Sequence, residues 1–516
     1  MSSETIPVLI IGAGPTGLNL ANLLLQYKIP FRLIEQKDAA ITTSNALAVQ
    51  SRSLEMWQQM GVVEKALAAG KKILGLALHS GTKKIGEISF KQVNLPTQFP
   101  FILGLPQADS EHLLSEHLLS QGGKIERGST LIDFTQTDQT VIAEIQTATG
   151  QKEKIACDWL IAADGSHSVV RKKLNLAFEG DTIPEKFIMA DMAINANFNP
   201  EYFHAFSSPL GPLVFAPMPK FTRIIAPVTH DQGIKDFTQP TLADFEYIIA
   251  NRSPAGVKID SVVWMSHFVT HHRMINNYCH GRVIFAGDSA HIHSPVGGQG
   301  MNTGMQDTFN LAWKLAAVIQ KKSTPRLLAS YNTERHAVAK KVLAGTTKMT
   351  EIVTLKNAFL IALRNTVMSL LFKISLVQKK IIMNISELGI SYDPNEIIFP
   401  SAGQRALHPE LFQDTKHTLV LFTGGSAFEK NAKDIIRLAQ SVMHQYADYF
   451  TVLIISESDK HFPNLNVQVD PDYQLHDSYN MQNGGMCIVR PDQYIGMLQA
   501  AITQANVVEY LQRLKC

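Results

Sequence analysis

The chain has 516 residues, of which 45% are apolar and 18% charged, the proportions of a globular protein with more than one core. A formal net charge of +2, with no basic block, argues against nucleic acid as a partner. Four cysteines (Cys157, Cys279, Cys487 and Cys516) stand far apart without a C-x-x-C pair, which argues against a disulfide framework or a zinc site and fits a reducing cytoplasm.

Residues 7–11 form a continuous apolar run that reads as a buried strand, too short and too soon interrupted by Gly and Pro for a secretion signal. Gly12-Ala13-Gly14-Pro15-Thr16-Gly17 comes at once after it. A helix then runs to about Tyr27 with Leu18, Ala21, Leu24 and Leu25 on one face, and a second strand at 31–34 ends at Glu35. This strand–loop–helix–strand context is what a dinucleotide fingerprint requires: Gly12 for the tight turn, Gly14 for approach of a pyrophosphate, Gly17 for packing of helix on strand. Glu35, 23 positions beyond Gly12, is placed to take a ribose hydroxyl. Its charge disfavours a 2′-phosphate, so FAD or NAD fits there better than NADP.

A loop and a helix around 52–57 come next, then short alternating segments at 74–101 that read as strands. Gln107 stands near the start of an amphipathic helix, where it either hydrogen-bonds a ligand or caps the helix. Segments 124–134, 139–148 and 153–162 read as a meander that ends in Asp164-Gly165, with Ser168 and Arg171 one turn apart in the following helix. Asp164 either orients ligand-binding backbone or caps that helix. Arg171 supplies positive charge near a pyrophosphate or a visiting nicotinamide.

From 176 to about 270 the apolar runs read as an antiparallel sheet interrupted by one helix at 242–250, without a phosphate loop, and therefore as a substrate-covering domain. Phe215, Met218, Trp264 and His267 are its candidate substrate-pocket residues. Core packing is the alternative for each, because strand alternation does not say which face looks into a cavity. Residues 283–286 then form a short strand closed by Gly287-Asp288. A loop carrying Pro295, Gly297, Gly298 and Gly300 leads into a long helix starting near Met301. A carboxylate at a strand end can hold a ribose hydroxyl, glycines bring backbone N–H groups close to a flat or anionic ligand, and a helix N-terminus favours negative charge. His291 and His293 alternate but have no evident third ligand, so no metal is expected.

Residues 334–390 read as mostly helical. The stretch 358–377 is strongly apolar, yet Arg364, Asn365 and Lys373 break it, so a bundle helix is favoured over a span, with peripheral membrane contact as the alternative. After Pro400 the chain restarts as a strand, a helix, a strand, then a hairpin and a final helix, a small α/β domain without redox cysteines. The expected fold is α/β: a Rossmann-like dinucleotide domain (1–175 and 271–340, with 74–101 able to join the second sheet), an antiparallel substrate sheet (176–270), a helical segment (341–398) and a C-terminal domain (399–516).

Three motifs in this order, Gly12/Gly14/Gly17 with Glu35, Asp164-Gly165 with Arg171, and Gly287-Asp288 with the 297–300 loop, resemble the group A flavoprotein monooxygenases, the family of p-hydroxybenzoate hydroxylase and phenol hydroxylase. The tail, with Ala402-Gly-Gln-Arg405 and Ile488-Val-Arg490-Pro-Asp492, resembles the thioredoxin-like C-terminal domain of the phenol hydroxylase and polyketide aromatic hydroxylase branch. The resemblance implies that Glu35 and Asp288 bind the two riboses of FAD. Gly12, Gly14 and Gly17, with Pro15 and Thr16 between them, would face its pyrophosphate, and Gln107 would touch the cofactor. Asp164, Gly165 and Arg171 would serve both FAD and NAD(P)H. Pro295, Gly298 and Met301, with Gly300 and Asn302, would line the reacting ring, with no acid or base assigned. Two positions depart from the family: Asn45 stands where an arginine near the flavin diphosphate is common, and Leu47 where phenol hydroxylases carry an aspartate that helps deprotonate the phenol.

The implied activity is hydroxylation of a phenol-like or polycyclic aromatic substrate with O₂ and NADPH or NADH, through a flavin C4a-hydroperoxide. With one full fingerprint in the chain, the nicotinamide visits transiently. No integral membrane segment is expected, and a homodimer is the candidate assembly. A Baeyer–Villiger or epoxidising oxygenase, or a flavin reductase, is the alternative on the same architecture. A non-catalytic flavin-binding protein is the alternative from another class.

Overall fold

The computed structural model describes residues 5–515 except 42–45, 82, 229–233, 235–236, 255, 294–296, 354, 356, 426–427 and 460–461. Asn45, Pro295 and Cys516 therefore lie outside the described residues. The chain divides into two compact units, Met1–Leu25 with Pro30–Thr308 and Ala339–Gly389, and Gln26–Ile29 with Phe309–Val338 and Ile390–Cys516.

At the centre of the first unit the strand Ile6–Ile11 is flanked in parallel by Phe31–Glu35 on one side and Lys152–Ala162 on the other. Val283–Phe285 lies parallel beyond Lys152–Ala162. Ile6–Ile11 and Val283–Phe285 are unbroken apolar runs, as is the last stretch of Lys152–Ala162 from Trp159, which fits strands covered on both faces. Ile11 is opposite both Ile34 and Ala162, and Ala162 is opposite Phe285, so this register ends all four strands along one edge. The glycine loop, Glu35, Asp164 and Gly287-Asp288 are delivered to that edge although they are scattered over the sequence. The meander strands Thr130–Gln136 and Val141–Gln146 extend the same sheet.

A second eight-stranded sheet is built on two long antiparallel strands, Glu179–Asn195 and Lys258–Met274. Thr222–Val228, Leu213–Pro217 and Tyr202–Ser207 come next in order, and Gly75–Ser80 and Lys83–Ser89 complete the edge, which puts residues of the 74–101 segment in this sheet. One face packs under the helix Leu242–Arg252: Ile188, Ala190, Phe206, Phe215, Ile224 and Ala226 form a single apolar layer with Phe245, Ile248 and Ile249. Thr241 and Asp244 close a reciprocal capping box at the start of that helix, fixing where it begins. The opposite face carries Asp191, Arg223 and Trp264, which the register lines up across three strands.

The helical segment of this unit includes Ala358–Leu371 and Ser375–Ile385. Among the described residues no single helix is long and apolar enough to cross a membrane.

The second unit holds a five-stranded sheet in which Phe450–Ser456 and Val467–Val469 run parallel to His417–Phe422, while the hairpin Gly485–Val489 and Ile495–Gln499 runs antiparallel to it. This strand–helix–strand-then-hairpin order, closed by the helix Gln504–Lys515, is that of a thioredoxin-like domain. Cys487 is buried on the hairpin, where burial pushes its thiol far above the ordinary range, so it is inert. Elsewhere in the unit Glu334 accepts both Arg490 Nη1 and Nη2 at 2.8 Å and Lys314 Nζ at 2.8 Å, with all three side chains fully buried.

Candidate cofactor and active site

The glycine loop leaves the first strand with Gly12 at φ +100°, and a Cβ there would meet the Ala163 carbonyl oxygen at 2.4 Å. A Cβ on Gly17 would meet the Gly12 carbonyl oxygen at 1.9 Å, whereas one on Gly14 meets nothing within 4 Å. Two of the glycines are thus consumed by the protein's own packing, and the third leaves open space toward the strand edge. Pro15 opens the helix Pro15–Gln26, where its missing N–H costs nothing. Thr16 packs between two other glycines, its Oγ1 2.5 Å from where Gly287 would carry a Cβ and 2.6 Å from the same point on Gly304. The first and third motifs are therefore in direct contact.

Glu35 is held by backbone donors, its Oε2 2.8 Å from Ala13 N and its Oε1 3.0 Å from Lys37 N. Asp288 is exposed to solvent just beyond the end of its strand. Desolvation by the surrounding protein raises its pKa, and the nearby Asp307 adds to the rise against the pull of His291. Asp164 accepts Val169 N at 2.7 Å and Val170 N at 3.2 Å through Oδ2, so it does cap the short helix Val169–Lys173 together with the N-cap Ser168. Its Oδ1 is buried with no partner among the described residues, and so is Gln50 Oε1. Desolvation of this kind disfavours the carboxylate and raises the Asp164 pKa.

Arg171 is buried and bonded to backbone. Nη1 donates to the Ser289 carbonyl at 2.9 Å and Nη2 to that of Ser166 at 2.5 Å, while the guanidinium lies over Phe178, 3.8 Å from the ring centroid. It ties the turn after Asp164 to the turn after Asp288. Ser289 Oγ adds a bond of 2.6 Å to the Ala162 carbonyl.

The loop before the helix Gly300–Ile319 is pinned from its far side. Asn302, fully buried, accepts Gln50 N at 2.9 Å and donates to the Ala48 and Gly298 carbonyls at 3.0 and 2.9 Å, and Gln50 Nε2 donates to the Gly297 carbonyl at 3.1 Å. Gly298, Gly300 and Met301 are each partly exposed at this bend. Gln107 begins the helix Gln107–Ser120; its Oε1 accepts Ala46 N at 3.4 Å and its Nε2 donates to Glu111 at 2.9 Å. The Ala46 carbonyl in turn takes Gln107 N at 3.1 Å and Arg223 Nη1 at 3.4 Å. One carbonyl therefore links the second sheet to the start of the helix Gln107–Ser120.

Of the sheet residues singled out from sequence, Trp264 alone is aligned with that link. It is half-buried opposite Asp191, with the Arg223 guanidinium 5.9 Å from its ring centroid, and Arg223 is itself paired with Asp191 at 2.7 Å. Phe215 is placed instead in the apolar layer under Leu242–Arg252, edge-on to Phe206. His267 pairs with Ile188 on that same face, exposed against Phe237. Met218 is buried in the turn after Leu213–Pro217. Leu47 presents an alkyl group that packs on the cluster of Ala48, Ile73 and Ile102. Sequence reasoning missed Gln50, Asp191, Arg223 and Asp307. An acid on the buried face of an otherwise apolar helix was the available signal for Asp307; nothing local marks Gln50. Among the described residues no group of three or more His, Cys, Asp or Glu side chains is placed to hold a metal.

The residues at the edge fit a dinucleotide: an open backbone at Gly14, two carboxylates at strand ends, and two buried oxygens that lack partners. Comparison with known proteins agrees. A family profile described as the FAD binding domain matches residues 5–346. The chain is 31% identical to the 6-methylpretetramide 4-monooxygenase of Streptomyces rimosus over 95% of its own length and 90% of the relative's. It is 28% identical to the pentachlorophenol 4-monooxygenase of Sphingobium chlorophenolicum over 96% and 94%. Its fold matches that of aklavinone-11 hydroxylase, solved with FAD and aklavinone, at a TM-score of 0.79 and 20% identity, covering 100% of this chain and 99% of that one. Anhydrotetracycline hydroxylase from Streptomyces rimosus matches at 0.78 and 24%, covering 99% of each.

Proposed function

The chain belongs to the FAD-dependent aromatic-compound monooxygenases, and from that premise we propose that it hydroxylates a phenol-like or polycyclic aromatic substrate with O₂ and a transient NADPH or NADH. The observation that carries this reading is the convergence of three sequence motifs on one sheet edge, tied to each other by Arg171 and Thr16, with the Trp264 and Arg223 face of the second sheet joined to the same unit through the Ala46 carbonyl.

In this reading Glu35 and Asp288 hold ribose and ribityl hydroxyls, and the open side of Gly14 receives the pyrophosphate. When bound, FAD supplies electron transfer from the nicotinamide and activation of dioxygen for insertion of one oxygen atom into the ring. The protein supplies placement and field. The N-terminus of Gly300–Ile319 stabilises negative charge beside the Gly298–Met301 bend, with Asn302 and Gln50 fixing that bend so that no reorganisation accompanies reaction. Pro295 is assigned to the same bend on sequence grounds. Phe187 and Met189, buried on the same side of their strand as Asp191, would help to exclude water from the reacting centre. Leu47 offers no proton acceptor, so the phenolic proton leaves by another route than in phenol hydroxylases. The thioredoxin-like strand order supports placement in the phenol hydroxylase and polyketide hydroxylase branch. The described cysteines are all free thiols, which supports a cytoplasmic setting.

A panel of phenols, quinones and polycyclic aromatics, scored by flavin bleaching under anaerobic stopped flow, tests the proposal. At least one compound should accelerate reduction by NADPH or NADH tenfold or more, by roughly 1.4 kcal/mol of barrier. A yellow protein that neither nicotinamide bleaches, with any compound, would leave a non-catalytic flavin-binding protein.

A further inference from the structure

We propose that the helix pair Ala358–Leu371 and Ser375–Ile385 seats this protein on an anionic lipid surface. The first of these helices is amphipathic in the wrong sense for water. Phe359, Leu360, Leu363, Val367, Leu370 and Leu371 are 38–73% exposed. At about 100° per residue they share one sector roughly 120° wide. Asn365 lies on the opposite side, where its Nδ2 donates to Ser80 Oγ at 3.1 Å, and Arg364, at the margin of the sector, donates from Nη2 to Ser207 Oγ. Phe372, just past the helix, packs against Gly86. The helix is thus held by its polar side to the rim of the second sheet, and a half-turn of rotation that hid the leucines would break both bonds. Ile374 and Leu376, 47% and 76% exposed, carry the apolar surface around the bend into the second helix. A contiguous apolar surface of this extent on a folded chain marks a place where something apolar docks.

Charge identifies what docks. Between residues 352 and 386 the charged side chains are Lys356, Arg364, Lys373, Lys379 and Lys380, with no acid among them. Lys373, Lys379 and Lys380 are exposed beside the apolar surface. Apolar side chains flanked by lysines suit the boundary between acyl chains and anionic headgroups. A two-fold contact with a second copy would bring the same lysines face to face. The geometry also favours lying flat over crossing: the two helices meet at 104°, and neither is long enough to span. The first helix packs on Lys83–Ser89, at the edge of the sheet that carries Trp264. A docked protein would therefore hold the substrate sheet next to the lipid, where apolar aromatic compounds accumulate.

The test is flotation of the full-length FAD-loaded protein with vesicles of phosphatidylcholine, alone or with about one-third phosphatidylglycerol, at low and high salt. Binding to the anionic vesicles should exceed binding to the neutral ones by about tenfold or more and fall at high salt. Leu370→Ser/Leu376→Ser and Lys373→Glu/Lys379→Glu/Lys380→Glu should each abolish it while retaining the yellow cofactor, which reports an intact fold. Absence of flotation with anionic vesicles would overturn the proposal, as would unchanged flotation of the Leu370→Ser/Leu376→Ser form. A non-floating dimer that becomes monomeric in that variant would assign the surface to self-association instead.

Discussion

His291 Nε2 lies 2.7 Å from Asp307 Oδ2, and the same oxygen accepts the backbone N–H of Gly287 at 3.0 Å. Both side chains are buried, so the long helix reaches back to hold the turn that presents Asp288. Asp307→Ala strands an imidazole and a backbone donor without water. It should cost about 3–5 kcal/mol in urea unfolding and reduce flavin retention. Asp307→Asn keeps an acceptor for Gly287 N and should lose less on both measures.

The three glycines of the first loop separate folding from binding. Gly12→Ala and Gly17→Ala each drive a Cβ into a backbone carbonyl and should lower the melting temperature by several degrees or prevent folding. Gly14→Ala meets no protein atom, so it should fold normally and yet bind FAD at least tenfold more weakly, because its methyl occupies the space assigned to the pyrophosphate. Apoprotein melting with FAD titration reads both.

Asp288→Ala should purify largely colourless with its circular dichroism unchanged, since among the described residues the exposed carboxylate makes no bond on which the fold depends. Glu35→Ala should also lose colour but melt lower, because it removes the acceptor of Ala13 N. A fully yellow, active Asp288→Ala protein would refute its assigned role.

Stability should depend on Glu334 at acid pH. Burial alone would raise its carboxyl pKa, but Arg490 and Lys314 outweigh burial and hold it well below the ordinary 4.5. The unfolded chain therefore takes up the proton first. The contribution is complete above about pH 4.5 and is lost as pH falls below it. Burial pulls the Lys314 ammonium down to about 8, so it is still mostly charged at neutral pH. Glu334→Gln should destabilise by about 3–5 kcal/mol at neutral pH and show a shallower loss of melting temperature on acidification.

The local motifs were legible because each carries its physics within a few residues. A buried parallel strand shows as an apolar run closed by glycine or an acid, so strand ends at Ile11, Ile34, Ala162 and Ala286 could be placed from sequence, the last one residue beyond the observed Phe285, together with the family likeness they imply. What joins them was not legible. Arg171 reads as a charge for a ligand, and nothing local foretells its bonds to the Ser289 and Ser166 carbonyls. Asp307 pairs across sixteen residues with His291, and Gln50 across hundreds with Asn302 and Gly297. The sheet faces were ambiguous for a related reason. Alternation places Phe215 and Arg223 on opposite sides, but only the seat of Leu242–Arg252 decides which side is core. The outward apolar sector at 359–371 was hidden in the same way, since a helical period marks a face without saying whether it turns inward or outward.

The most direct test of the proposed activity is turnover of the FAD-loaded protein with reduced nicotinamide and a bleaching-active phenol under isotopically labelled dioxygen. The expected result is one labelled oxygen atom per product molecule, in a new ring hydroxyl. A product without label, or peroxide formation with the aromatic compound unchanged, would contradict it.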